Sequence, residues 1–181
     1  MASWQRIARR IRVPLGFVFA GVYLWLARPS SGSIAAGAGI ALLGLLIRAL
    51  ASGHVRKNEE LTVSGPYAYT RNPLYLGSFV LALGFVVASL SWIVAAIAAV
   101  MLLAIYLPVM RAEEEFLRSR FPEFNSYARN VPLLFPRLSP FRSSANSFSL
   151  HLYWKHREHN AAIGSALMIA ALLVKLYWFN K

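Results

Sequence analysis

The chain has 181 residues, 57% of them hydrophobic and only 14% charged, with a formal net charge of +12. A soluble domain carries about 25% charged residues, so this composition points to lipid as the solvent for much of the chain. The complete lack of cysteine excludes disulfides, thiolate metal sites and a cysteine nucleophile.

A helix that crosses a bilayer needs about 17–25 mostly apolar residues. Five segments are predicted as spans, the first of them short: 13–27, 33–51, 74–89, 92–110 and 161–179. Arg6, Arg9, Arg10 and Arg12 precede the first, a pattern shared with signal peptides. Tyr23, Trp25 and Arg28 follow with no small-x-small cleavage site, so a retained anchor is expected. Gly32, Gly37, Ala41 and Gly44 punctuate the second span and are expected to permit close helix packing. The third and fourth spans, parted only around Leu90 and Ser91, read as a helical hairpin. Arg48 and Lys175 fall near span ends, where long side chains can reach the interface.

With the amino terminus inside, all basic residues except Arg28, Lys175 and Lys181 lie on the inner face, as the positive-inside rule requires. Topology and anionic lipid headgroups then account for the basicity, and nucleic acid is not an expected partner. Trp4, Trp25, Trp92, Trp154 and Trp178 fall near predicted helix ends, where an aromatic belt would place them. No ionisable residue is predicted at the centre of a span, which argues against an ion pump.

All seven acidic residues are glutamates, and all fall on the inner face in this arrangement. Six flank two polar clusters, 54–75 and 111–137. In the first, Ser64-Gly65-Pro66 is turn chemistry and Pro73 suits the first turn of a helix. Irregular backbone at that depth must be buried in protein or line a wet cavity. In the second, Phe116, Leu117, Phe121, Phe124 and Tyr127 recur at helical spacing, which predicts an interfacial amphipathic helix. His151, His156 and His159 lack the pattern of a metal site and are expected in an interfacial helix before the last span.

Together the clusters resemble the membrane methyltransferases that include isoprenylcysteine carboxyl methyltransferase and the phospholipid methyltransferases. Gly65, Tyr67, Arg71, Pro73, Tyr75 and Gly77 match the first part of that family's pattern. Glu113, Glu114, Leu117, Phe121, Tyr127, Val131 and Pro132 match the second, with the hairpin between them at the expected length. The resemblance covers about residues 54–137.

The resemblance implies S-adenosylmethionine as cofactor on the cytosolic side. Leu61, Thr62, Tyr67, Asn72, Pro73, Leu74 and Tyr75 would line it, and Glu113 would meet its charged end. Carboxylates and aromatic faces suit its sulfonium and ammonium groups. Glu113, Glu114 and Arg71 are the implied catalytic residues. Arg71 would serve the cofactor carboxylate or form a structural ion pair with a glutamate. Glu114 or Glu115 would take a proton from an amine acceptor.

Three positions depart from the pattern. Asn72 replaces a histidine, keeping a donor but losing a proton acceptor. Pro122 replaces a glycine, with the spacing after it one residue shorter. Val109 stands where carboxyl methyltransferases carry an arginine for the substrate, Arg111 being the nearest alternative, so prenylcysteine is not carried over as substrate.

The expectation is therefore an all-α polytopic integral membrane protein with about five transmembrane helices, a helical hairpin and an interfacial amphipathic helix. It forms a single membrane domain: two helices in 13–52, a methyltransferase-like core in 54–137, and an interfacial helix with the last span in 148–181. Expected partners are membrane lipids and a lipophilic or lipid substrate entering from the bilayer, with no metal. The expected setting is a prokaryotic inner membrane, with the active site cytoplasmic. The competing readings are an NADPH-dependent membrane reductase of the sterol-reductase type and a non-catalytic lipid-binding scaffold.

Overall fold

Small residues let the second and third helices approach until their backbones touch. In the computed structural model, which describes residues 3–56, 59–141 and 147–179, all regular structure among the described residues is helical. Lys57, Arg142 and Lys181, with the side chains of Trp4, Arg6, Arg9 and Arg12, lie outside the described residues. Helices α1 (Ser3–Leu26), α2 (Ser31–Ser52) and α3 (Pro73–Ser89) are followed by α4 (Trp92–Met101), a π-helical turn (Leu102–Tyr106) and α5 (Leu107–Arg120). Two short helices, α6 (Phe124–Asn130) and α7 (Leu150–Lys155), precede α8 (His159–Phe179). A 3-10 turn, Gly65–Ala68, interrupts the loop between α2 and α3.

By length and composition, Ser31–Ser52, Trp92–Arg120 and His159–Trp178 can each cross a membrane, whereas the apolar helices Pro14–Leu26 and Pro73–Ser89 are shorter. Three full-length candidates are thus present, with two shorter helices where the remaining spans were predicted.

The α2–α3 seam is made by glycines facing one another. A Cβ added to Gly77 would lie 2.8 Å from the Gly44 carbonyl oxygen and 3.0 Å from the Arg48 amide nitrogen. One added to Gly84 would lie 2.6 Å from the Gly37 oxygen. In lipid, where burying apolar surface between helices yields little, this closeness of approach is a main source of packing energy.

Polar side chains secure the helix ends. Ser30 and Ser33 form a capping box at the start of α2, and Ser33 Oγ also donates to the Ala88 carbonyl of α3. Lys175 of α8 does not simply reach for the interface: its ammonium donates to the Leu24 and Trp25 carbonyls, 2.5 and 3.0 Å away, at the C-terminus of α1. That position also suits the negative end of the helix dipole. Arg48 and Glu158 form an ion pair that fastens the start of α8 to α2. The α3–α4 hairpin closes through Leu90 in the left-handed region (φ 47°), with Ser91 capping α4. Trp25, Trp92 and Trp178 are all strongly exposed at helix ends, as a belt requires.

Two predicted elements differ. The helix of the fourth span, which passes through the π turn at Leu102–Tyr106, does not end near Met110 but continues to Arg120, carrying the glutamates on the same rod. The aromatic spacing from Phe116 to Tyr127 does not make one helix, because Pro122 intervenes. The residue before a proline is pushed out of the α region, and Phe121 is extended (φ −122°, ψ 111°). The chain breaks there and restarts as α6, which folds back so that Phe124, Tyr127 and Val131 form a buried cluster against Leu61, Val63 and Leu117.

Gly77→Ala is expected to cost about 1–3 kcal/mol, the usual penalty for overpacking a filled site. Gly164→Ala, where an added Cβ meets nothing within 4 Å, is expected to be neutral or slightly stabilising. Thermal melting in one detergent checks both; equal melting temperatures for the two variants would contradict the close-packed seam.

Candidate functional site

Residues 64–72 leave α-helical structure for a 3-10 turn and irregular backbone, so several of their backbone groups need partners from elsewhere. The segment after α6 supplies them. Arg71 N–H donates to the Pro132 carbonyl (2.9 Å), Arg137 N–H to the Tyr69 carbonyl (3.0 Å) and Phe141 N–H to the Ala68 carbonyl (2.9 Å). Side chains add to this stitching. Thr70 Oγ1 donates to the Leu134 carbonyl at 3.0 Å, and Asn72 Nδ2 to the Leu133 carbonyl at 3.1 Å. The Tyr127 hydroxyl donates to the Tyr67 carbonyl at 2.7 Å. Gly65 has φ +54° and lies under the His54 ring, so both its torsion and its surroundings call for glycine.

At the end of this loop Pro73 opens α3, and Tyr75 on its first turn meets α5. The Tyr75 hydroxyl donates to Glu113 Oε1 at 3.0 Å, across 38 positions of sequence. Beside it, Arg71 and Glu114 pair through Nε and Oε1, 2.7 Å apart, both side chains largely buried. That approach is an ionic contact rather than an aligned hydrogen bond; the aligned one, from NH2 to Oε2, is longer at 3.4 Å. Arg71 NH1 also donates to the Ala128 carbonyl, so one guanidinium joins the loop, α5 and α6.

The phenols of Tyr67 and Tyr127 titrate far above the ordinary tyrosine range, chiefly because they are buried. Their mutual influence and the Glu113 charge raise Tyr67 further, while the Arg71 charge works against the rise at Tyr127. Both therefore remain neutral, and Tyr127 remains a hydrogen-bond donor.

The structure brings together Arg71, Asn72, Pro73, Tyr75, Glu113 and Glu114. Asn72 is buried as the N-cap residue of α3, but its amide serves the Leu133 carbonyl rather than the helix end. Leu74 is half-buried, and its carbonyl accepts from Ser78. Thr62 is buried and accepts from the Arg56 amide at 3.3 Å, while Leu61 packs on the α6 cluster. Both belong to the near end of the loop. Glu115 and Arg111 are exposed, and Val109 is fully buried with Tyr75, Ile105 and Met110.

Sequence reasoning treated Ser64 only as a turn residue. Its Oγ is buried and has no hydrogen-bond partner among the described residues. Tyr106 was also missed: it stacks edge-on against Tyr75 at 6.2 Å and Phe79 at 5.9 Å. A lone tyrosine inside an apolar span carries no motif signal. The histidines are engaged locally, His156 at the Ser52 carbonyl and His159 against the Trp154 ring. Among the described residues no group of three or more His, Cys, Asp or Glu is arranged to hold a metal ion.

Residues 49–123 match the family described as phospholipid methyltransferase. The chain is 44% identical over 90 residues to the nickel-cobalt-cadmium resistance protein NccN of Alcaligenes xylosoxydans xylosoxydans, covering 50% of this chain and 42% of that protein. It is 41% identical over 117 residues to the cobalt-zinc-cadmium resistance protein CzcN of Cupriavidus metallidurans, covering 64% of this chain and 53% of that protein. The chain thus spans about half the length of the curated relatives it matches. No solved structure matches it. The matched stretch begins at the end of α2 and takes in the stitched loop, the α3–α4 hairpin and the Glu113–Glu114 pair, and over it the chain is similar to the phospholipid methyltransferase family.

Proposed function

We propose that the protein transfers a methyl group from S-adenosylmethionine to a lipophilic acceptor at the cytosolic face of a membrane. The observation that carries this reading is the Tyr75–Glu113 hydrogen bond, which joins the first turn of α3, just after the loop, to the glutamate-bearing helix inside the matched stretch.

The residues present fit such a cofactor in kind. Glu113 is a half-buried carboxylate beside Tyr75, chemistry suited to an ammonium or sulfonium group. The buried Ser64 hydroxyl, without a partner among the described residues, offers a hydrogen bond within the loop proposed to line the cofactor. Tyr67, Asn72, Pro73, Leu74 and Tyr75 would form the wall of that site, with Leu61 and Thr62 at its near end. The cofactor, when bound, supplies an electrophilic methyl group.

The rest is done by the chain. Tyr75 would fix the orientation of Glu113, and the Arg71–Glu114 pair would hold α5 against the loop, setting the width of the site. Arg71 and Glu114 would then act by positioning, which leaves Glu113 as the carboxylate offered to the ligand. Packing by Leu61, Phe124 and Tyr127 would keep water out. An acceptor that is already ionised needs no base, so Asn72 would suffice where the resemblance has a histidine.

The relatives are named for metal resistance. In such a setting, on this reading, the chain would contribute a methylated membrane component rather than a coordinated ion.

Calorimetric titration of the detergent-solubilised protein with S-adenosylmethionine and with its demethylated product tests the assignment. Binding of either is expected, and binding of neither would leave the scaffold reading in its place. Glu113→Gln is expected to weaken binding roughly tenfold, about 1.4 kcal/mol, within the range for a hydrogen bond to a charged group. Tyr75→Phe is expected to weaken it less and to leave the melting temperature nearly unchanged.

Arg71→Ala removes a buried cation and strands Glu114. It is expected to lower stability by about 1.5–3 kcal/mol. Arg71→Lys should restore only part of that loss, since an ammonium cannot reproduce the fork that reaches both Glu114 and Ala128. Full rescue by lysine would argue against the geometry described.

A further inference from the structure

A second recess lies among the apolar helices, away from the loop. It has a volume of about 640 Å³, opens between α1, α3, α4 and α8, and runs along α3 from Ser78 to Val86. Eight residue-to-residue steps of helix make that about 12 Å at a rise of ~1.5 Å per residue. Its size falls within the roughly 300–1,000 Å³ typical of small-molecule sites. The walls are overwhelmingly apolar, and small residues such as Gly16, Ala98 and Gly164 make the room. An added Cβ at Gly16 or Gly164 would meet nothing within 4 Å, so neither glycine is there for helix packing.

One end of the recess is polar. Arg48 and Ser78 line it, and Arg48 NH1 donates to Ser78 Oγ at 2.5 Å. The other edge of the same guanidinium grips Glu158, with Nε 3.0 Å from Oε2 and NH2 2.9 Å from Oε1. The arginine charge is therefore already matched. An ionic head entering here would lose its water against a neutral cluster, a costly exchange at low dielectric. A hydroxyl needs only a hydrogen bond: the Ser78 oxygen, whose proton goes to the Leu74 carbonyl, can accept one, and the guanidinium edge beside it can donate one.

The recess also adjoins the candidate site. Phe79 and Tyr106 line it, and the Tyr106 ring also packs against Tyr75, whose hydroxyl holds Glu113. Much of the remaining lining comes from α1 and α8, which lie outside the matched residues 49–123.

We infer that this recess binds a single-chain amphiphile with an uncharged hydroxyl head, its chain lying along α3 and its head at Ser78 and Arg48. The recess is a site distinct from that of the methyl acceptor, and the binding does not rest on the function proposed above.

The test is photolabelling of the purified full chain in nanodiscs. Three diazirine-bearing probes share one alkyl chain and differ in head: a primary alcohol, a carboxylate and a trimethylammonium. Labelled peptides are mapped by mass spectrometry. The alcohol is expected to label α3, α4 and α8 peptides at least fivefold more than either ion. Gly164→Leu, and separately Gly16→Leu, should fill the recess and cut alcohol labelling at least fivefold without lowering the melting temperature or S-adenosylmethionine binding. Glu158→Gln leaves the Arg48 charge unmatched and should shift preference towards the carboxylate.

Equal labelling by all three heads, a preference for an ion in the unaltered chain, or labelling indifferent to both leucines would overturn the proposal. Labelling as expected without cofactor binding would remove the methyl-transfer reading and leave this site standing. Cofactor binding with failed labelling would remove only the site.

Discussion

Backbone that abandons the helix at a membrane surface must have each N–H and C=O matched by protein or water. Residues 64–72 leave the α-helix, and much of the half of the molecule around them follows from meeting that demand. The irregular stretch after α6 is their partner: the Pro132, Leu133 and Leu134 carbonyls each receive a bond from the loop, while Arg137 and Phe141 return theirs to it. Pro122 is what makes this possible. By ending α5 it turns the chain back, where an unbroken helix would have carried residues 127–141 away from the loop.

Once the loop is held, the division of labour between the adjacent glutamates follows. Neighbours on a helix point about 100° apart, so one guanidinium cannot serve both equally. Arg71 takes Glu114 and is itself held by the Ala128 carbonyl, while Tyr75 takes Glu113. The first arrangement ties together three parts of the fold. The second places a carboxylate beside an aromatic ring at the mouth of the loop. The same economy recurs one turn further along α3, where Arg48 is shared between Glu158 and Ser78.

What was legible in the sequence was largely local or motif-borne. The apolar runs marked the helices, Pro73 marked the start of α3, and the order of the two clusters anticipated that Tyr75 would stand near Glu113. The Arg48–Glu158 pair was not legible, because its partners are 110 positions apart and each looked like an ordinary helix-end charge. The α5–α6 break was misread because the aromatic period outweighed a proline in plain view. Lys175 was read as reaching for water, since nothing local says that the end of α1 will lie beside it. Ser64 looked complete as a turn residue; only three-dimensional placement reveals a buried hydroxyl lacking a partner among the described residues.

The π turn at Leu102–Tyr106 sets the angular phase between the membrane half of this long rod and its glutamate-bearing half. A π turn accommodates one residue more than an α turn. Winding the same residues as uninterrupted α-helix, with none removed, would rotate everything beyond the turn by about 100° relative to the bundle. Glu113 would swing away from Tyr75 while every side chain of the motif stayed in the sequence. Removing one residue together with the π turn would instead leave the phase nearly unchanged, so the extra residue and the turn that absorbs it must come or go together for the site to keep its geometry.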